Sequence, residues 1–278
     1  MCHEYGGTID DLLVYMFNKD WFLVVVNSGT TVRDIKHLYT ILESSGKNWD
    51  VSIGDETFRT AKLDLQGPLA EKILQQSTDA ELSSLSRFSF VSTKIYGREA
   101  LISRTGYTGE DGFELYFDFY FDPNVCIEIW NALLWDGKKF GLQPIGLGAR
   151  DTLRIESGFS LYGHELSPAI SPVEAGIGFV VKNKPEDYPG KKVLLEQKTF
   201  GTGRNLICFE MLDRGIPREH YDIYSKNQKK IGYVTSGTYS PMGKKGIGLG
   251  LAGFPLSPGA NIFISIRGRL SPAVVINR

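Results

Sequence analysis

The chain is poor in the residues from which metal centres and cross-linked scaffolds are built. Three cysteines, Cys2, Cys126 and Cys208, and four histidines, His3, His37, His164 and His220, are scattered through 278 residues. No two histidines stand four apart and no cysteines pair at finger spacing, which argues against a metal site. The thiols are also too few to staple a chain of this size. They are expected to be reduced, with Cys126 and Cys208 packed inside. Charge of one sign is lacking too. With 31 basic against 32 acidic residues the net charge is −1, so no overall field draws nucleic acid or an anionic membrane; Lys184, Lys191, Lys192 and Lys198 are the candidates for a local basic patch. No apolar run approaches the roughly 20 residues that cross a bilayer, and stretches such as Trp21 to Val26 have strand length; a soluble protein is expected. The opening Met-Cys-His-Glu-Tyr-Gly-Gly has neither a secretion-signal nor a transit-peptide profile. A phosphate-loop lysine motif and a G-x-S-x-G nucleophile elbow are missing. Gly248-Leu-Gly250-Leu-Ala-Gly253 satisfies a dinucleotide-binding pattern, but Phe254-Pro255 follows, so no helix offers its N-terminus to a pyrophosphate.

What is present suffices for a substantial core: 42% of the residues are hydrophobic, in a length compatible with one large domain or two smaller ones. Two β-type runs, Ile9 to Phe17 and Trp21 to Asn27, flank the turn Asn18-Lys19-Asp20 and predict an antiparallel hairpin. Thr30 to Ser45 carries Val32, Ile35, Leu38 and Leu42 at helical spacing before Gly46, which predicts an amphipathic helix. Gly67-Pro68 opens a short helix to about Gln76. Val125 to Trp135 reads as a helix with Cys126, Ile129, Trp130 and Leu133 on one face, Leu147 to Ser157 as another, and Phe113 to Phe121 as a strand. After Gly201-Thr-Gly-Arg204 the texture becomes short β-type runs, Leu206 to Met211, Tyr221 to Ser225, Lys230 to Thr235, Ile247 to Ala252 and Asn261 to Arg267, which suggest a small barrel or sandwich. A boundary near residue 200 is expected, with an α+β part over 1–200 and a β module over 201–278.

Two glycine-punctuated runs carry the candidate chemistry: Ser103-Arg-Thr-Gly-Tyr-Thr-Gly-Glu-Asp-Gly-Phe-Glu114, and Gly146-Leu-Gly-Ala-Arg-Asp-Thr-Leu-Arg-Ile-Glu156 with Leu-Tyr-Gly163 after it. Each sets charged groups beside tight turns, an arrangement that costs stability unless something is bound. Gly106, Gly109 and Gly112 let the backbone come close to a flat ligand, Tyr107 supplies an aromatic face and a hydroxyl, and Glu114 can take two parallel hydrogen bonds from an amino-heterocycle. Arg150 can fork onto a ligand carboxylate or onto an internal acid such as Glu156, and spacing alone does not choose between them. Glu156 and Glu174 read as structural, as partners of Arg154 or of backbone amides. Asp10-Asp11 sits where a strand is expected to begin, so alternation predicts one carboxylate turned inward and one to solvent, with only one a site residue. Such a carboxylate can orient or deprotonate an amine.

Gly6-Gly-Thr-Ile-Asp-Asp11, Val25-Val-Asn27, Gln66-Gly-Pro68, the 103–114 and 146–163 runs, Ser171-Pro-Val-Glu174 and Thr235-Ser-Gly-Thr-Tyr-Ser-Pro241 follow the order seen in the aminomethyltransferases, the T-proteins of the glycine cleavage system. The chain resembles that family over nearly its whole length. The resemblance implies an α+β folate-binding body with Greek-key and ferredoxin-like antiparallel sheets and a C-terminal β-barrel. It implies a transferase of glycine catabolism and one-carbon metabolism, which moves the methylene of an aminomethyl-lipoyl carrier, the H-protein, to tetrahydrofolate with release of ammonia. By position, the family's essential aspartate falls on Asp11, and its folate-contacting residues fall on Asn27, Tyr107, Glu114 and Arg150. Against the family pattern, the usual N-terminal segment is missing before Met1, a short tail is missing beyond Arg278, and Arg87-Phe88 stand where members often carry tyrosines. Another folate-dependent enzyme of the superfamily, a demethylase or the folate domain of a dimethylglycine or sarcosine dehydrogenase, is the nearest alternative. A truncated, non-catalytic folate-binding protein is a further one. The expected location is the cytoplasm, or the mitochondrial matrix in a eukaryote.

Overall fold

A computed structural model describes residues 1–44, 46, 49–118, 120 and 122–277. The chain divides into two compact units, Met1–Thr40 together with Arg154–Arg278, and Ile41–Leu153. None of the described helices is long and apolar enough to cross a membrane.

The first unit opens with the hairpin β1 (Leu13–Asn18) and β2 (Trp21–Val25), paired antiparallel from Leu13 with Val25 to Asn18 with Trp21. β1 begins two residues after Asp11, so strand alternation does not govern the Asp10-Asp11 pair as the sequence led us to expect. Helix α1 (Thr31–Ser44) follows; the last residue of its expected range, Ser45, lies outside the described residues. Of its apolar stripe Ile35, Leu38 and Leu42 are partly buried, on the side that carries Asp34, the one fully buried position, while Val32 is 84% exposed. Periodicity finds the covered side but not the carboxylate buried on it.

The second unit is built on an antiparallel sheet with helices packed on one face. It holds β3 (Thr60–Gln66), α2 (Ala70–Leu74), β4 (Phe90–Ile95), β5 (Arg98–Ser103), β6 (Gly112–Asp118), α3 (Val125–Gly137) and most of α4 (Leu147–Glu156). Of the strand expected over Phe113–Phe121, residues 119 and 121 lie outside the described set. The strand order β3-β6-β5-β4 is a Greek key, with the first strand returning beside the last. Side chains alternate across each strand, so Leu65, Phe113, Leu115 and Phe117 pack on one face with Ile73 and Leu74 of α2 and Val125, Ile129 and Leu133 of α3. The opposite face receives Lys62, Asp64, Gln66, Glu114 and Tyr116. On α3 the buried line runs through Val125, Ile129, Leu133 and Gly137; Trp130 is half exposed and Cys126 only partly covered, against the expected face.

Within the first unit, α5 (Lys191–Phe200) precedes six strands: β7 (Asn205–Met211), β8 (Asp222–Ser225), β9 (Lys230–Ser240), β10 (Lys245–Ala252), β11 (Asn261–Ile266) and β12 (Arg269–Ile276). They close in the order β10-β7-β12-β11-β8-β9 around Phe209, Ile223, Val234, Ile264 and Val275. The mixed helix-and-sheet class and the C-terminal barrel are those expected. The dinucleotide-like glycines lie in β10. There a Cβ on Gly248 would stand 2.6 Å from the Phe209 ring and one on Gly250 2.9 Å from the Tyr233 carbonyl oxygen, so they serve close packing of the barrel.

Candidate functional site

Glu114 lies at a point where β6 is flanked on both sides. Across the ladder it faces Asp64 of β3, and on the other side Ser103 of β5. Two acids directly opposite repel. Lys62, two residues before Asp64 and on the same face, relieves this: its Nζ stands 2.5 Å from Glu114 Oε1 and 3.4 Å from Asp64 Oδ2. The other oxygen, Oε2, accepts from Thr105 Oγ1 at 2.5 Å and from Tyr116 Oη at 3.3 Å. Glu114 is 6% exposed. Burial alone would raise its pKa, but Lys62 and the hydroxyls of Thr105 and Tyr116 outweigh burial and hold it below the ordinary value. For Asp64 burial and the charge of Glu114 prevail over Lys62 and Arg150, and its pKa is raised. Arg150, on α4, holds its guanidinium 4.9 Å from the centre of the Tyr107 ring. Of the residues expected from the sequence, Tyr107, Glu114 and Arg150 thus belong to one unit, with Arg150 acting on Asp64, which shares Lys62 with Glu114. Among the described residues no ion pair joins Arg150 to Glu156, which instead accepts from Ser240 Oγ.

The loop carrying Tyr107 is fixed by its own side chains. Arg104 forks onto Asp111, Nε to Oδ1 at 3.0 Å and Nη2 to Oδ2 at 2.6 Å, while its Nη1 donates to the carbonyls of Leu82 and Leu85. Gln66 Nε2 donates to the carbonyls of Thr105 and Phe113. A Cβ on Gly106 or Gly112 would meet Gln66 Oε1 at 2.0 or 2.2 Å. Those two glycines therefore make room for Gln66 rather than for a flat ligand. Gly109, at φ +79°, turns the loop.

In the first unit Asp10, Asp11 and Asn27 form a second cluster. Asn27 donates its backbone N–H to Asp10 Oδ2 at 3.0 Å and its Nδ2 to Asp10 Oδ1 at 2.9 Å, Asp11 Oδ1 at 3.0 Å and the Asp11 carbonyl at 3.1 Å. One amide bridges both carboxylates, so the expectation that only one of the pair would face inward is overturned: Asp10 is 1% exposed, and Asp11, half-buried, turns to the same amide. Burial and the neighbouring Asp10 charge raise the pKa of Asp11, and the Asn27 hydrogen bond offsets only part of this. Behind the pair lies Asp34, 1% exposed, with neither oxygen in a well-formed hydrogen bond and Arg33 Nε 3.8 Å away. Its pKa is pushed up to about 6 by burial and by Asp10, against the Thr30 hydroxyl and Arg33. Arg33 is otherwise engaged, over the Tyr162 ring and with the Ile9 carbonyl.

Asp34, Lys62 and Asp64 were not singled out from the sequence, and Asp10 entered only as one of a pair with Asp11. Alternation in Thr60-Ala-Lys-Leu-Asp-Leu-Gln66 does put Lys62 and Asp64 on one face, but that Glu114 is their neighbour depends on the ladder register. Arg154, expected to pair with Glu156 or Glu174, donates to Glu165 Oε2 at 3.0 Å and to Ser236 Oγ at 2.8 Å. Glu174 pairs with Arg204 and accepts from the Ser171 amide. A cavity of about 270 Å³ in the first unit, lined by Ile155, Cys208, Met242 and Ile276 among others, contains none of the candidate residues.

Comparison with known proteins places the chain. The family profile "GCVT N-terminal domain" matches residues 1–185, and "Glycine cleavage T-protein C-terminal barrel domain" matches residues 204–278. An aminomethyltransferase of Alkaliphilus metalliredigens is 49% identical over 253 residues, covering 90% of this chain and 66% of its own length. One from Caldanaerobacter subterraneus subsp. tengcongensis is 46% identical over 281 residues, covering 100% of this chain and 72% of its own. The crystal structure of the glycine cleavage system aminomethyltransferase T from Bartonella henselae superposes with a TM-score of 0.85 at 26% identity, over 100% of this chain and 73% of that one. The chain thus spans about two thirds to three quarters of the length of these relatives. It belongs to the glycine cleavage T-protein family, the aminomethyltransferases.

Proposed function

We propose that the chain transfers the methylene carbon of an aminomethyl group, carried on the lipoyl arm of an H-protein, to tetrahydrofolate. The methylene exchanges its bonds to the lipoyl sulfur and to the amine nitrogen for bonds to two folate nitrogens; the protons those nitrogens give up go to the sulfur, which leaves as a thiol, and to the amine, which leaves as ammonia, and the product is 5,10-methylenetetrahydrofolate. Folate supplies the nucleophile, so the protein's share is positioning and proton handling. The observation that carries this reading is the buried, ionised Glu114, a two-oxygen acceptor suited to the amino edge of a pterin. Tyr107 and Asn27 orient the ring system, and Arg150, above Tyr107, meets a ligand carboxylate. Asp11 orients the reacting amine and takes up a proton, a task for which its raised pKa suits it better than an ordinary carboxylate. The folate-binding body over 1–200, the barrel domain over 201–278 and a cytoplasmic setting, as in bacteria, belong to the same reading.

The test is ammonia release from an aminomethyl-loaded carrier with and without tetrahydrofolate, alongside methyl donors in its place. Folate-dependent release from the carrier alone is expected. Turnover of methyl donors with none from the carrier would reassign the chain to the demethylase branch, and no calorimetric heat with tetrahydrofolate would leave it a non-binding scaffold.

A further inference from the structure

The proposed function uses Glu114 but leaves Lys62 and Asp64 without a role. The geometry asks for one. Both side chains of β3 are about a third exposed, at 31% and 30%, whereas the Glu114 side chain beside them is 9% exposed. Glu114 has both oxygens occupied by protein donors, Lys62 on one and Thr105 with Tyr116 on the other. A ligand presenting two N–H groups must therefore share or displace those donors. Thr105 and Tyr116 are fixed by a tight loop and a strand; Lys62, on a flexible four-carbon stem, is the mobile one. It has somewhere to go, since Asp64 Oδ2 is already 3.4 Å from its Nζ.

We propose that Lys62 is a positioning residue with two seats: on Glu114 it keeps that acid ionised and ready to accept, and on Asp64 it stands aside when a ligand's N–H donors take its place. This rests on the reading of Glu114 as the folate anchor. The charges facing Glu114 balance. From β3 come Lys62 and Asp64, and from α4 comes Arg150, which acts on Asp64; Tyr116 and Thr105 add neutral donors. With Lys62 in its second seat both cations stand at Asp64, and the ligand's N–H donors join Thr105 and Tyr116 in holding the charge of Glu114. Without Lys62, the buried Glu114 facing Asp64 would hold a proton, and a protonated carboxyl cannot accept two parallel hydrogen bonds. Binding would then require that proton to leave.

Calorimetric titration with tetrahydrofolate, from mildly acidic to mildly alkaline pH and in buffers of differing ionisation enthalpy, separates the possibilities. For the unaltered protein the affinity is expected to be flat with pH, with no proton released. Lys62→Met should weaken binding about tenfold per pH unit on the acid side, with one proton released on binding, and should recover as pH rises. Lys62→Arg should restore the flat profile. Asp64→Asn, which removes the second seat, should weaken binding severalfold at every pH with no new inflection. A carboxyl titration of Glu114 by NMR without ligand should move upward in Lys62→Met, and unchanged circular dichroism shows that the variant is folded. A flat, proton-neutral profile in Lys62→Met overturns the proposal. If Glu114→Gln binds tetrahydrofolate as well as the unaltered protein does, it is instead the anchor reading that fails.

Discussion

Asp11 and Glu114 are both carboxylates that burial penalises, yet their surroundings move them in opposite directions. Around Glu114 a cation and two hydroxyls overcome burial, and the group stays ionised. Around Asp11 burial and another acid prevail over a neutral amide and the pull of the N-terminal ammonium, and the pKa rises. Chain position sets neither outcome; the company each acid keeps decides whether it becomes a fixed acceptor or a group able to trade a proton.

The hardest blow to this contrast is aimed at Asp11. Asp11→Asn keeps a polar group against Asn27 but cannot take a proton, and transfer is expected to fall about 10²- to 10⁴-fold with tetrahydrofolate binding largely retained. Ammonia release against calorimetric affinity measures both, and full activity would remove Asp11 from proton handling. Glu114→Gln should show the reverse split. Loss of charge-assisted hydrogen bonds, each about 1.5–3 kcal/mol, weakens tetrahydrofolate binding about 10- to 150-fold and spares turnover at saturation.

The loop beside Glu114 gives a smaller, structural effect. Gly106→Ala drives a methyl into Gln66 and should cost about 1–3 kcal/mol, read as a lower melting temperature. The cost should shrink in a Gln66→Ala background; a cost independent of Gln66 would place the strain elsewhere. The gentlest probe is pH. Asp34 titrates near 6 in the folded chain against 3.8 as its ordinary value, so the native state holds the extra proton between them. Its contribution is complete below the lower value and lost as pH rises through about 6. Glu114, shifted downward, behaves oppositely: its contribution is present above the ordinary carboxylate value and lost on acidification. Thermal melts of Asp34→Asn should therefore show a shallower decline over that upward interval, and an unchanged slope would assign the decline to other groups.

Much of this was legible in the residues. The glycine-rich run marked the Glu114 loop, and the short β-type runs after residue 200 marked five of the six barrel strands. β12 escaped because Pro272 and Ser271 interrupt its apolar pattern, and β9 runs five residues past its expected end at Thr235. What stayed hidden depends on pairing between distant segments. Lys62 and Asp64 acquire meaning only through the register of β3 with β6. Alternation left open which of Asp10 and Asp11 would face inward, and the resemblance pointed to Asp11, whereas the segment before Leu13 is irregular and turns both acids to one amide. Asp34 is the one fully buried position of its helix, and apolar spacing gives no reason to single out a carboxylate.

The closed ring of β7 to β12 has a consequence for association. Each strand already has a partner on both sides, so the ring has no edge strand onto which a stranger's strand could zip along its full length. Any protein that settles there must be recognised through side chains and loops. The hairpin β1-β2, with an open margin on each side in its sheet, carries no such protection.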